Sequence, residues 1–217
     1  MTKLKTIIIS SLGALAIASA TVFAKDFDEG EHYTVISSEV AKPDIKEYFS
    51  AYCPHCEMME PYINSARKKI RESKRKYNFE RSHVSFLGGV PKSIQRMVTS
   101  SVFLAEKLEK QDEYVEFLFH KIHKEGVKIS TPESLQEAMK QFGFTDDEIK
   151  NEMLSSDIQE QTVAAIEEQE RLVRGGKLKG VPSFVINGKY LVNLSGLDRK
   201  NFEQDLADII IFLKEKE

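Results

Sequence analysis

The chain has 217 residues, of which 41% are hydrophobic and 30% are charged. This length allows one domain, or one domain with a sizeable insertion, and buries enough apolar surface to fold without disulfides or metals. The formal charge at pH 7 is −3, and charged residues are scattered without long blocks of one sign, so a nucleic-acid partner is not expected.

Residues 1–24 have the features of a secretory signal peptide. Two early lysines are followed by a mostly apolar stretch over residues 7–17, and small residues near Ala24 suit a cleavage site. A membrane anchor is the alternative, but serines and a glycine interrupt a run that is shorter than the ~20 residues a membrane span requires. We therefore expect export and a mature chain that begins near Lys25.

The residues around the two cysteines predict a strand that leads directly into a helix. Residues 44–51 suit a short, largely buried strand. From Met59 to Ile70 apolar side chains recur at helical spacing, and basic residues cluster toward the end, where cations suit the helix dipole. The two cysteines, Cys53 and Cys56, therefore lie at a strand-to-helix junction.

The next part of the chain changes from strand to helix. Residues 79–87 predict a second strand that stops at Gly88-Gly89. From residue 91 to residue 176, helix starts and stops follow in series and predict an all-helical block. These signals are a proline at a first turn (Pro91), two capping boxes (Ser130–Glu133 and Thr145–Glu148) and three terminal glycines (Gly126, Gly143 and Gly175).

Strand signals return near the C-terminus. Residues 183–186 and 189–194 predict two strands joined by Asn187-Gly188, a strong signal for a two-residue hairpin turn. Asp198 is expected to cap a final helix with one apolar face. The order of strand, helix, strand, helical block, hairpin and helix predicts an α/β core interrupted by helices.

The cysteine pair is predicted to be reactive. In an oxidising compartment structural disulfides are common, but a bridge between Cys53 and Cys56 closes so short a loop that it restrains the unfolded chain very little. If Cys53 is the helix N-cap, Pro54 takes the first helical position, where its missing N–H costs nothing. The N–H groups of His55 and Cys56 then point at the Cys53 sulfur and, with the helix dipole, lower its pKa.

His55 indicates the direction of electron flow. An imidazole beside a thiolate stabilises the reduced protein but gains little from an uncharged disulfide. Each unit by which the pKa of Cys53 falls is equivalent to ~30 mV for a two-electron couple. The pair is therefore expected to accept electrons from other thiols.

Several alternatives remain open on residue patterns alone. A zinc site could combine the cysteine pair with His55 or His83, but the other histidines supply no second pair of ligands. His120 and His123 lie one helical turn apart beside apolar residues, which favours satisfied or solvated side chains over a metal clip. A purely structural disulfide is the remaining alternative, and the short loop argues against it.

Two further positions also have more than one interpretation. Pro182 precedes a strand, and the commoner reading of such a proline is the start of an edge strand. Glu47 lies in the strand before the cysteines, where an exposed side chain is the commoner outcome. If strand alternation turns Glu47 inward, it could relay the proton that Cys56 takes up or releases.

Three segments, in this order, resemble the DsbA family of bacterial periplasmic disulfide oxidases. They are residues 47–56 with Cys-Pro-His-Cys, residues 83–89, and residues 180–190. A lone Cys-x-x-Cys is a weak signal, but the likeness spans nearly all of the mature chain. The resemblance implies a thioredoxin fold built from residues 25–90 and 177–217, with a helical domain inserted over residues 91–176.

The resemblance also implies roles for individual residues. Cys53 would be the exposed attacking residue and Cys56 the buried resolving one, with Glu47 as a buried acid beneath them. Val181-Pro182 would be a cis-proline loop that faces the cysteines and binds substrate. The protein would be a periplasmic monomer with no cofactor besides its disulfide, would oxidise exported proteins with reduced cysteines, and would be reoxidised by a quinone-linked membrane protein of the DsbB type.

The sequence departs from the family in two respects. It contains no tryptophan, and Arg81 stands where a lysine is often found near the buried acid, which leaves the tuning of Glu47 open. One rival function is a disulfide isomerase or reductant, although DsbC-like isomerases carry an extra N-terminal region for which the short segment before the first core strand leaves little room. The other is a non-enzymatic thioredoxin-like chaperone or metal-binding module.

Overall fold

The structure, a computed structural model, describes residues 25–37, 45–73 and 77–216. The predicted signal peptide, residues 1–24, lies outside these described residues. Within the described ranges, no helix combines the length and the hydropathy that a membrane span requires.

A five-stranded mixed sheet forms the core, in the order β1-β5-β4-β2-β3. Strand β2 pairs in parallel with β3 and antiparallel with β4, and the other pairs are antiparallel. The strands are β1 (Tyr33–Val35), β2 (Ile45–Phe49), β3 (Phe79–His83), β4 (Ser183–Ile186) and β5 (Tyr190–Val192).

Helices cover both faces of this sheet. Ile63 of the first helix and Leu206 of the last form one apolar cluster with Phe184 of β4. Val185, the next residue of β4, faces the other way and packs with Leu172 of the fifth helix. The helices are α1 (Pro54–Glu72), α2 (Lys92–Lys107), α3 (Gln111–Phe119), α4 (Pro132–Phe142), α5 (Ser156–Arg174) and α6 (Phe202–Glu215).

The predicted order of elements is confirmed: α2 to α5 lie between β3 and β4 in the chain. The Asn187-Gly188 hairpin turn is also confirmed. Both residues have positive φ, 56° and 64°, which is the conformation that this type of turn requires. Gly143 ends α4 with φ 111°, as its predicted terminal role requires.

The second strand is shorter than predicted. β3 ends at His83, four residues before the predicted end. The backbone N–H groups of Ser85 and Leu87 donate to the side-chain amides of Gln169 and Gln95, each over 3.2 Å. These glutamines of α5 and α2 take the place of strand partners, so the chain leaves the sheet early.

Two helix starts differ from the predictions. α4 is capped by a box between Thr131 and Ser134, because Pro132 takes the first helical position and moves the cap one residue beyond Ser130. The last helix begins at Phe202 and its cap residue is Asn201, not Asp198, because the Asp198 carboxylate accepts the N–H of Lys200 over 2.9 Å in a turn of its own.

The sequence pattern did not predict β1, which pairs with β5 at the edge of the sheet. A short 3₁₀ turn, Leu194–Gly196, follows β5 and lies against the segment that precedes β1. An added Cβ on Gly196 would overlap the carbonyl oxygen of Glu31. Glycine is therefore required at this close approach of two backbones.

We expect Gly196→Ala to lower the free energy of unfolding by about 1–3 kcal/mol, because the backbone must shift to relieve the overlap. Urea unfolding monitored by circular dichroism measures this loss. The slope of the unfolding free energy against urea concentration should stay unchanged. Gly88→Ala is the matched control, since its added Cβ meets no atom within 4 Å. Equal losses in the two variants would contradict the argument.

Candidate active site

Cys53 is the N-cap residue of α1, as predicted. Its backbone is extended, with φ −92° and ψ 110°, and Pro54 occupies the first turn of the helix. The Cys53 Sγ accepts a hydrogen bond from the backbone N–H of Cys56 over 3.2 Å. The sulfur therefore lies at the positive end of the helix dipole, where negative charge is stabilised.

The two cysteines are free thiols with very different surroundings. The pKa of Cys53 is lowered to about 6, mainly by the hydrogen bond from the Cys56 side chain. Burial opposes this shift, and the N–H groups of Cys56 and His55 and the charge of His55 add to it. The pKa of Cys56 is strongly raised, first by burial and then by the neighbouring Cys53.

Cys53 is less accessible than the resemblance implies. It is 7% exposed, whereas Cys56 is 1% exposed. Val181 and side chains of the inserted helices pack in the same apolar cluster, which accounts for the burial of Cys53. His55 and Pro54 are exposed at the mouth of the site.

Val181-Pro182 faces the cysteine pair. The peptide bond between the two residues is cis, and the Cys53 thiol donates to the carbonyl oxygen of Val181 over 3.5 Å. The edge-strand interpretation of Pro182 is wrong, because β4 is flanked by β5 and β2. The proline therefore places a backbone segment beside the reactive sulfur.

Glu47 is buried beneath the site, with 1% of its surface exposed. The exposed interpretation is wrong, because Arg81 Nε donates to Glu47 Oε2 over 2.9 Å inside the protein. Burial raises the pKa of Glu47 despite the attraction of Arg81. The charge of Glu47 also contributes to the raised pKa of Cys56.

Two acids of this cluster, Glu60 and Asp112, are not among the residues that the sequence pattern predicted. Arg81 Nη2 donates to Glu60 Oε2 over 2.7 Å, and Arg81 Nη1 lies 3.4 Å from Asp112 Oδ1. A signal for Glu60 exists in the sequence: it lies between Cys56 and Ile63 at helical spacing, on the face of α1 that is buried. Asp112 reaches the cluster from α3 through tertiary packing and has no such local signal.

The histidine alternatives are resolved by their partners. His120 Nδ1 lies 3.1 Å from Glu125 Oε1, whereas His123 Nε2 lies 2.8 Å from the carbonyl oxygen of Ala51. The two side chains have separate partners, as the prediction of a satisfied pair requires. His83 is buried, its Nδ1 lies 3.0 Å from Thr99 Oγ1, and burial lowers its pKa to about 3.

Residues 44–207 match the family described as the DSBA-like thioredoxin domain. This match covers more than half of the chain. The chain belongs to this family. The predicted thioredoxin fold with inserted helices is thereby confirmed.

Curated relatives of this family cover the chain almost completely. The thiol:disulfide interchange protein DsbA of Escherichia coli (strain K12) is 28% identical over 98% of this chain and 100% of its own length. DsbA of Pectobacterium carotovorum is 29% identical over 93% of this chain and 94% of its own. A crystal structure of DsbA from Klebsiella pneumoniae is 28% identical, with a TM-score of 0.73 over 89% of this chain and 100% of that one.

These findings identify a thiol-disulfide oxidoreductase that promotes disulfide formation in exported proteins. Members of the family work through the disulfide of their own cysteines. Bacterial DsbA proteins are periplasmic, which implies that this chain is exported.

We expect the thiolate absorbance of the reduced protein to titrate with a midpoint near pH 6, the lowered pKa of Cys53. Cys56 should contribute no further step before the protein unfolds in alkali. The pKa of Cys53 in the folded protein lies below its value in the unfolded chain. The thiolate therefore stabilises the folded dithiol protein fully when the pH is above the unfolded pKa. This stabilisation is lost as the pH falls through about 6.

His55→Ala should raise the midpoint of Cys53, since the charge of His55 helps to lower it. His120→Ala is the control, because that histidine pairs with Glu125. A midpoint near the ordinary thiol pKa in the unmodified protein would overturn this account of the site.

Proposed function

We propose that this protein donates a disulfide between Cys53 and Cys56 to exported polypeptides with reduced cysteines. One observation carries the proposal: the Cys53 sulfur at the start of α1 accepts hydrogen bonds from the side chain and the backbone N–H of Cys56, and its pKa is lowered to about 6. A thiolate stabilised in this way is a good leaving group and makes the disulfide oxidising. An isomerase or a reductant needs a cysteine pair that is more stable as the disulfide, and the described site gives no such support for that.

The proposed reaction has two exchange steps. A client thiolate attacks the Cys53 sulfur, the Cys53–Cys56 bond breaks, and Cys56 leaves as a thiolate that takes up a proton. A second client thiolate then attacks the client sulfur of the mixed disulfide, and Cys53 leaves as a stable thiolate. Two electrons pass from the client to the cysteine pair, and the client gains one disulfide.

Glu47 is proposed to donate a proton to Cys56 and to accept it again. The thiolate of Cys56 is unstable in its buried position, because burial and nearby negative charge raise its pKa. Glu47 lies beneath the site, and its own pKa is raised by burial. An acid of this kind can supply a proton as Cys56 leaves and take it back on reoxidation.

Val181-Pro182 is proposed to bind the client backbone next to Cys53. The Val181 carbonyl oxygen lies 3.5 Å from the Cys53 sulfur, so a client residue that joins Cys53 must pass beside this segment. A DsbA from Proteus mirabilis, 22% identical, has been solved with a non-covalently bound peptide, PWATCDS. That complex supports the proposal that this protein accepts a polypeptide containing cysteine.

The remaining expectations concern the setting of the reaction. We propose cleavage near Ala24, a monomer in the periplasm, and reoxidation by a quinone-linked membrane protein of the DsbB type. No cofactor is required in this scheme, and nucleic acid has no part in it. The proposed domains are residues 25–90 with 177–217, and residues 91–176.

We expect Cys53→Ala and Cys56→Ala to abolish oxidation of a reduced, unfolded client with two cysteines, because neither variant can carry the disulfide. Loss of client thiols is counted after mixing with oxidised protein at equal concentration. Circular dichroism confirms that each variant is folded. A wild-type protein that leaves the client thiols reduced would favour a binding module without thiol chemistry, and oxidation by Cys53→Ala at the wild-type rate would show that this cysteine pair is not the oxidant.

Equilibration with glutathione separates an oxidant from a reductant. The proposal requires the Cys53–Cys56 disulfide to be reduced at a low ratio of reduced to oxidised glutathione. A disulfide that resists a large excess of reduced glutathione would instead support the isomerase or reductant alternative.

We expect Glu47→Gln to slow client oxidation about tenfold or more, because a glutamine cannot transfer the proton of Cys56. The second-order rate is measured over a range of pH. Glu60→Gln is the matched control: it removes a buried carboxylate that contacts the same Arg81 but leaves Glu47 in place. Equal effects in the two variants would show that charge alone, and not proton transfer, is responsible.

A further inference from the structure

The loop that leads into α1 is held by a side chain from the inserted helices. Ala51 is fully buried, and His123 Nε2 lies 2.8 Å from its carbonyl oxygen. A carbonyl oxygen only accepts hydrogen bonds, so His123 is the donor. Within residues 25–37, 45–73 and 77–216, His123 is the one donor to this oxygen.

His123 reaches the loop from a π-helical turn, His120–Lys124, which follows α3. The imidazole packs against Phe119 with ring centroids 6.2 Å apart. Beside it, Lys124 Nζ pairs with Glu57 Oε1 in the first turn of α1 over 2.8 Å. Turns of this kind are rare in proteins and often lie at functional sites.

Other contacts fix the same loop. The N–H of Cys53 donates to the carbonyl oxygen of Ser50 over 3.0 Å. Tyr52 Oη donates to the carbonyl oxygen of Ile129, also in the inserted helical region, over 2.9 Å. Ala51 therefore lies in the middle of a loop that is joined to the inserted helical region by two hydrogen bonds. One runs from His123 to the Ala51 carbonyl, and the other runs from Tyr52 to the Ile129 carbonyl.

The hydrogen bond from His123 has two effects on the Cys53 sulfur. It offsets the partial negative charge of a carbonyl oxygen two residues from the sulfur, where that charge would disfavour a thiolate. It also fixes the peptide plane that directs the chain into α1, and hence the alignment of the Cys53 sulfur with the N–H of Cys56. Both effects favour the thiolate form of Cys53.

We propose that His123 is a positioning residue for the disulfide exchange. It acts through the Ala51 carbonyl, donates to neither cysteine, and aligns the Cys53 sulfur with the N–H of Cys56, so that the leaving thiolate is stabilised. The inference rests on the proposed function, because a stabilised Cys53 thiolate matters only if Cys53 exchanges disulfides.

Three variants test the proposal. His123→Leu removes the donor, and His123→Gln supplies an amide Nε2 near the position of the imidazole Nε2. His120→Leu is the matched control, because that exposed histidine lies in the same turn and pairs with Glu125. We expect H123L to raise the pKa of Cys53 by about half a unit, which is about threefold in the thiolate equilibrium, and to move the glutathione equilibrium toward the disulfide by a similar factor.

H123Q should restore most of both values, and H120L should match the wild type. Thermal unfolding is measured in parallel, and H123A replaces H123L if that variant does not fold. An unchanged Cys53 pKa in H123L overturns the proposal, as does an H123Q variant that is folded but behaves like H123L. An ordinary Cys53 pKa in the wild type would instead defeat the proposed function itself.

Discussion

The hydrogen bond from the N–H of Cys56 to the Cys53 sulfur is the interaction on which the site depends. It forms because Pro54 lacks an N–H and begins the helix immediately after Cys53, so the sulfur becomes the cap. A thiolate gains more from this bond than an uncharged disulfide does. The same turn of helix places Cys56 inside the protein, so one local structure accounts for both the proposed attacking sulfur and the proposed resolving one.

The buried charges under the site are arranged around one guanidinium. Arg81 is 2% exposed; its Nε and Nη2 donate to Glu47, and Nη2 also donates to Glu60. Burial of an unpaired charge is expensive, and the planar fork of arginine can serve several carboxylates at once, which an ammonium group does less readily. The arginine keeps its charge at any physiological pH, so the proposed proton exchange in this cluster falls to the carboxylates.

Local signals in the sequence were sufficient for the reactive pair and for most elements. The Cys53 cap and the Asn187-Gly188 turn follow from residue types at fixed spacing, and both are confirmed. Strand β1, Tyr33–Val35, was missed because three residues carry too little periodicity to identify a strand. The contact of His123 with the active-site loop was not predictable, because it joins residues that are distant in sequence and depends on how the inserted helices pack.

The inserted helices are part of the active site as well as a cover for it. Cys53 and Cys56 belong to the same apolar cluster as Leu118 of α3 and Leu135 of α4. A packed interior transmits small displacements because its side chains interdigitate closely. A shift of α3 or α4 therefore moves the surroundings of both sulfurs, whereas α6 packs in a separate cluster with one face of the sheet. Substitutions in α3 or α4 can therefore alter the stability of the Cys53 thiolate through residues that never touch sulfur.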